Sequence, residues 1–189
     1  DRNVRLSSSF GFAIYPFAGD DFEDLLKSAE TALYRSKRRG RGQITVYSRE
    51  IAQEMKRATQ LEQALRNAII TDAIDVHFQP IVRLEEAKVI GFEALARWPL
   101  EGGYCSPARF IPVAEETGLI NELGAAVARK VIAALPALLA LDARHVVNVN
   151  LSPRQLMSRH LVEQMCSLVD GAGLSRDSIH FELTESALA

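Results

Sequence analysis

A chain of 189 residues with 48% hydrophobic residues and a formal net charge of −2 has an ordinary globular composition, long enough for one large domain or two small ones. Nothing in that balance suggests a nucleic-acid partner. The longest apolar region, Ala125 to Leu141, is broken by Arg129, Lys130 and Pro136, which predicts a core helix and no membrane segment. No signal peptide is visible. Cys105 and Cys166 lie outside any metal-ligand spacing, which predicts reduced thiols in a cytoplasmic setting, with a disulfide between them the open alternative.

In chain order, Val4 to Tyr15 is β-rich around Phe10-Gly11-Phe12-Ala13-Ile14-Tyr15. A turn through Gly19-Asp20-Asp21 then leads into a helix from Phe22 to about Arg39. Phe22, Leu25, Leu26, Ala29, Leu33 and Tyr34 recur there at helical spacing. Gly40 and Gly42 stop it, and Gln43 to Tyr47 reads as a short strand. This strand, helix and strand form the tail of an α/β domain, too small to stand alone. The helix ends in the basic run Arg35-Ser36-Lys37-Arg38-Arg39-Gly40-Arg41. Cations in a last turn complement the helix dipole without any ligand, and phosphate binding by Lys37 and Arg41 is the competing reading.

The blocks Ser9-Phe10-Gly11-Phe12-Ala13 and Ala29-Glu30-Thr31-Ala32-Leu33-Tyr34-Arg35-Ser36-Lys37-Arg38-Arg39-Gly40-Arg41 resemble the closing section of GGDEF domains, the diguanylate cyclase family. Glu30 stands where that family usually has Asp, and Gly42 where it often has Asn. The resemblance implies nucleotide-phosphate contacts for Lys37 and Arg41. The family's signature loop and metal-binding acids would precede Asp1, so residues 1–47 are expected not to make cyclic di-GMP.

Ser48 to Ile70 follows as a long amphipathic helix with Ile51, Met55, Ala58, Leu61, Leu65 and Ile69 in its stripe and Ser48 as N-cap. It reads as a connector between domains, and a homodimerising helix is the alternative. From Asp75 onward the pattern is α/β. Strands are predicted at Val76–Val82, Val89–Trp98, His145–Leu151 and Ile179–Thr184, with helices at Pro107–Thr117, Asn121–Leu141 and Pro153–Ala172. The short Glu85–Lys88 turn leaves the first two strands free to pair antiparallel, and the others should be parallel. Either an α/β barrel or a doubly wound sheet satisfies this pattern.

Alternation along these strands separates an apolar face from a polar one. Gly91, Glu93, Leu95 and Arg97 share a face, opposite Ile90, Phe92, Ala94 and Ala96. His77 and Gln79, Asn148 and Asn150, and His180, Glu182 and Thr184 are set against apolar neighbours in the same way. Polar groups from several strands thus converge near strand C-termini, where α/β enzymes place their chemistry. A half-buried Glu93 calls for a cation. One reading is a structural Glu93–Arg97 pair in a hydrogen-bonded network. The other is a divalent ion held by the hard oxygens of Glu93, Asn150 and Glu182, with Arg97 free for an anionic substrate. His77 and His180 read as satisfied core histidines.

The blocks Phe78-Gln79-Pro80-Ile81-Val82, Gly91-Phe92-Glu93-Ala94-Leu95-Ala96-Arg97-Trp98, Phe110 to Gly118, Asn150-Leu151-Ser152 and Glu182-Leu183-Thr184-Glu185-Ser186 resemble, in order, the EAL domain family. The likeness covers about Gln60 to Ala189. It implies a TIM-like (β/α) barrel with one antiparallel strand, and Mg²⁺- or Mn²⁺-dependent hydrolysis of cyclic di-GMP to the linear dinucleotide pGpG. By resemblance, Glu93, Asn150 and Glu182 would be metal ligands, Gln79, Leu95 and Arg97 would line the cyclic dinucleotide, and Glu185 would support a mobile loop. Pro99-Leu100-Glu101-Gly102-Gly103-Tyr104 departs from the family's usual His-Pro pattern.

The expected architecture is therefore a GGDEF remnant at 1–47, a connecting helix at 48–70, and the first four strands of an EAL barrel at 71–189. A complete barrel takes about 250 residues, so the chain is expected to belong to a longer polypeptide and to be inactive alone. The family's pair of aspartates, lysine and further glutamate would lie beyond Ala189. The parent is expected to be a cyclic di-GMP phosphodiesterase with upstream sensor domains. The alternative is a non-catalytic cyclic di-GMP receptor that signals through the connecting helix.

Overall fold

A computed structural model describes residues 6–156 and 159–183, and divides the chain into two compact units, 1–61 and 62–189.

In the first unit, β1 (Phe10–Phe12) and β2 (Ile44–Val46) pair in parallel, and α1 (Phe22–Arg38) forms the crossover between them. Asp21 caps α1 by accepting the backbone N–H of Asp24 at 2.9 Å, with Glu23 and Asp24 in the first turn and Arg35, Lys37 and Arg38 in the last. The packing of α1 on β1 depends on Gly11, because a Cβ there would sit 2.2 Å from the Ala29 carbonyl oxygen and 2.3 Å from the Leu33 nitrogen. The face of α1 that docks differs from the one its apolar spacing predicts. Ser28, Ala32 and Ser36 are buried, whereas Phe22, Leu26 and Tyr34 are exposed. Close approach selects the small residues, and each buried hydroxyl finds a carbonyl: Ser28 Oγ donates to Ala18 and Ser36 Oγ to Gln43. Helix α2 (Arg49–Ile70) starts where Ser48 Oγ accepts the N–H of Ile51 at 3.4 Å. Arg35 and Arg39 of α1 both reach its Glu54, at 3.1 and 3.6 Å.

The second unit is built on a sheet of order β3-β4-β6-β7: β3 (Asp75–Arg83), β4 (Lys88–Leu100), β6 (Val146–Leu151) and β7 (Ile179–Leu183). β3 and β4 are antiparallel, while β4 with β6 and β6 with β7 are parallel, as the short turn after β3 predicts. A further strand, β5 (Gly103–Cys105), folds back on the end of β4, so Pro99 to Tyr104 is a hairpin where the sequence suggested only an irregular loop. Helix α3 (Pro107–Thr117) has proline at its start and Gly118 in the left-handed conformation at its end. Helix α4 (Ile120–Leu141) is long and apolar enough to cross a membrane by length and composition, yet Leu123, Val127, Val131 and Leu135 form a buried line that packs with α3, β3 and β6. The segment predicted as one helix from Pro153 is described as α5 (Pro153–Leu156) and α6 (Arg159–Gly171).

The sheet's apolar face carries Ala94, Trp98, Val147, Val149, Leu151 and Ile179, all buried. Trp98 meets Phe110 of α3 edge to face at 5.8 Å. The buried histidine is His145, whose ring nitrogens lie 3.2 Å from the carbonyls of Leu138 and Val89. His77 and His180, expected in the core, are exposed, because strand alternation turns them to the polar face. Cys105 and Cys166 are free thiols.

The corner between α4 and β6 is tied by Asp142, which accepts the Arg144 guanidinium at 2.6 and 3.0 Å and the Arg144 backbone N–H at 2.9 Å. Those hydrogen bonds, the guanidinium foremost, hold the Asp142 carboxyl well below the usual carboxylate range. A folded-state pKa that is depressed stabilises the fold above the unfolded value of about 3.9 and is lost as pH falls through the folded value. Asp142→Asn should therefore lower the unfolding midpoint slightly at pH 7, with the gap to wild type closing below about pH 4. Parallel melts from pH 7 to pH 2 would read this, and a gap that persists unchanged would refute it.

Candidate functional site

The polar side of the β3-β4-β6-β7 sheet gathers the predicted residues through strand register. Gln79 of β3 lies opposite Glu93 of β4, Glu93 opposite Asn148 of β6, and Asn150 opposite Glu182 of β7. The side chains then meet diagonally. Asn150 Nδ2 donates to Glu93 Oε1 at 2.8 Å, and Asn148 Nδ2 donates to Glu182 Oε1 at 2.5 Å. Glu93 is half-buried, while Gln79, Asn150 and Glu182 are exposed. Two carboxylates and two amides thus share one face. Among the described residues no group of three or more His, Cys, Asp and Glu side chains is positioned to hold a metal. The donor set fits a hard cation nonetheless, because Glu93, Asn150 and Glu182 present oxygens from three neighbouring strands and the Asn150 amide already touches the Glu93 carboxylate.

Arg97 does not pair with Glu93. Residues four apart on a strand are separated by about 13 Å, at 3.3 Å per residue, too far for a direct ion pair. Its Nη1 donates instead to the Ala96 carbonyl at 3.0 Å. Arg97, Leu95 and Asn150 border a cavity of about 370 Å³ that Glu115, Ser152 and Gln155 also line. A guanidinium at the edge of such a space is placed for an anion.

Sequence patterning missed the residues that fasten the chain just beyond Asn150. Ser152-Pro153-Arg154-Gln155 follows the Ser-x-x-Gln capping box with proline at the first helical position, a signal that would have found them. Gln155 Oε1 accepts the Ser152 N–H at 2.8 Å, and Gln155 Nε2 donates to the Ile120 carbonyl at 3.0 Å. Ser152 Oγ donates to Glu115 Oε1 at 2.6 Å, and Arg154 donates to the Glu115 carbonyl.

Glu185 lies outside the described residues. Lys37 and Arg41 belong to the first unit and are exposed, Lys37 in the last turn of α1 and Arg41 beyond it with φ of 62°.

A family model described as the EAL domain matches residues 62–189. Among curated proteins, the cyclic di-GMP phosphodiesterase NbdA of Pseudomonas aeruginosa is 36% identical over 99% of this chain and 24% of its own length. The bifunctional diguanylate cyclase/cyclic di-GMP phosphodiesterase MucR of the same species is 33% identical over 98% of this chain and 27% of its own length. A solved structure of the PaMucR phosphodiesterase in complex with c-di-GMP matches with a TM-score of 0.63 and 32% identity, covering 68% of this chain and 53% of that one. The chain spans about a quarter of the length of these curated relatives.

Proposed function

Because the chain belongs to the EAL domain family, we propose that it is part of a metal-dependent cyclic di-GMP phosphodiesterase that opens the cyclic dinucleotide to linear pGpG. The observation that carries this is the shared polar face on which Glu93 meets Asn150 and Asn148 meets Glu182, with Arg97 beside it. Glu93, Asn150 and Glu182 would hold Mg²⁺ or Mn²⁺. When bound, such an ion lowers the pKa of water and neutralises charge developing on a phosphodiester. Arg97 supplies a fork for the non-bridging phosphate oxygens, Leu95 gives an apolar contact, and Gln79 offers an amide at the β3 edge. In the reaction water adds to phosphorus, one ester P–O bond breaks, and the released ribose oxygen takes a proton.

The sheet order, with its first strand antiparallel, is the first part of a TIM-like barrel in this reading. Glu185 would support a loop near the metal. Residues 1–47 are read as the end of a GGDEF domain, with Lys37 and Arg41 toward nucleotide phosphate and 48–70 as the connector. The likeness to MucR along nearly the whole chain supports a tandem arrangement. Residues 1–189 alone are proposed to be inactive, the other catalytic groups lying on later strands, and the full-length protein to act in the cytoplasm under upstream sensor domains.

Incubation of the full-length protein with cyclic di-GMP and Mg²⁺ or Mn²⁺ tests this, with pGpG as the expected product and none from residues 1–189 alone. Tight binding of cyclic di-GMP without pGpG would replace the enzyme with a receptor.

A further inference from the structure

Strand β6 ends in an asymmetric way. Its backbone ladder to β7 continues through Leu151, but the ladder to β4 stops at the Ala94 and Val149 pair. Asn150 is the next residue. On the β4 side of it lies the 370 Å³ cavity bounded by Leu95, Arg97 and Asn150. Backbone pairing to β4 therefore does not fix the spacing between Asn150 and Glu93, although their side chains stand 2.8 Å apart.

What holds this strand end is the clamp that follows. Gln155 is 3% exposed, and its amide uses both ends: one bonds the Ser152 N–H, the other the Ile120 carbonyl at the first residue of α4. Glu115, near the end of α3, takes the Ser152 hydroxyl at 2.6 Å. A capping box alone would need only the first of these bonds. The others tie the turn after Asn150 to the α3–α4 corner, across the cavity from β4.

We propose that Gln155, with Glu115 and Ser152, is a positioning residue for the metal site, setting where the Asn150 amide stands relative to Glu93. This rests on Glu93, Asn150 and Glu182 being oxygen ligands. Outer-shell groups that orient a ligand typically change metal affinity or activity by about 10–100-fold when removed.

The test uses full-length protein and two readouts, Mn²⁺ binding by titration followed by electron paramagnetic resonance, and pGpG formation. Gln155→Met keeps the volume and removes both hydrogen bonds. It should weaken Mn²⁺ binding about 10–100-fold and lower kcat by a similar factor, with KM for cyclic di-GMP little changed. Val131→Ala, in the buried line of α4, should lower the unfolding midpoint at wild-type Mn²⁺ affinity. Ser152→Ala cuts the Glu115 arm of the same clamp and should weaken Mn²⁺ binding less, and it decides the matter if Gln155→Met fails to fold. Wild-type Mn²⁺ affinity in a destabilised Gln155→Met would show a cap only and overturn the proposal. A wild type that binds Mn²⁺ without hydrolysing cyclic di-GMP would sink the enzyme reading, while a loss of Mn²⁺ affinity on Gln155→Met would still uphold the positioning role. A wild type that binds no Mn²⁺ would overturn both.

Discussion

Glu93→Gln should abolish hydrolysis of cyclic di-GMP, by about three decades or more in kcat, while leaving the fold intact. Metal assistance to a phosphoryl oxygen is worth several kcal/mol, and each 1.36 kcal/mol is a tenfold change in rate. Glutamine preserves the shape and the acceptor that Asn150 uses, and removes only the charge. In metal-free protein that removal should raise the unfolding midpoint. Glu93 and Glu182 share one face with amides as their hydrogen-bond partners, so neutralising one carboxylate eases desolvation and like-charge cost. Addition of Mn²⁺ should then stabilise wild type far more than the variant. Melting curves with and without Mn²⁺, alongside pGpG assays, separate charge from shape. Full turnover in Glu93→Gln would remove the residue from the site.

The second large effect is structural. Gly91 lies two residues before Glu93 on the same strand, opposite Val146 in the parallel β4–β6 ladder. A Cβ at Gly91 would sit 2.5 Å from the Val146 carbonyl oxygen and 3.4 Å from its nitrogen. The obstacle is backbone, so no side-chain rotation relieves it. Overpacking of this kind costs roughly 1–3 kcal/mol, and Gly91→Ala should fall at the upper end because the ladder here has few pairs to share the strain. Denaturant melts should show a midpoint shift of that size with little change in slope. A shift under about 0.5 kcal/mol, the range of ordinary surface substitutions, would mean that β6 can move away freely. The positioning of Asn150 would then need another account.

Much of the second unit is legible because its strands alternate cleanly. Ala94 and Trp98 go to the core while Glu93 does not, and the same rule sorts Val147 and Val149 from Asn148 and Asn150. Proline at 107 and glycine at 118 bracket α3 where the sequence predicts. Periodicity says that a helix has an apolar stripe, but not which line of residues approaches a neighbour most closely. In α1 that line is Ser28, Ala32 and Ser36, chosen by a backbone contact at Gly11 that no hydropathy pattern carries. The β4–β5 hairpin was hidden because Gly102 and Gly103 read as a loop and three residues are too few to show alternation. The pairing of Glu93 with Asn150 spans 57 positions, and only the parallel register brings the two together.

The antiparallel start of the sheet also sets an order of assembly. β3 and β4 join through a turn of a few residues and share the longest ladder in the unit, so their pairing closes almost no loop. Pairing β4 with β6 must enclose two helices and the hairpin first, and loop closure of that length carries its entropy cost before any contact repays it. The strand that carries Glu93 can thus be framed early and locally, within microseconds for a hairpin, while Asn150 and Glu182 arrive by slow, non-local closure. The acidic face is complete only when the last long-range pairing forms, so cation binding reports on the finished fold and not on its nucleus.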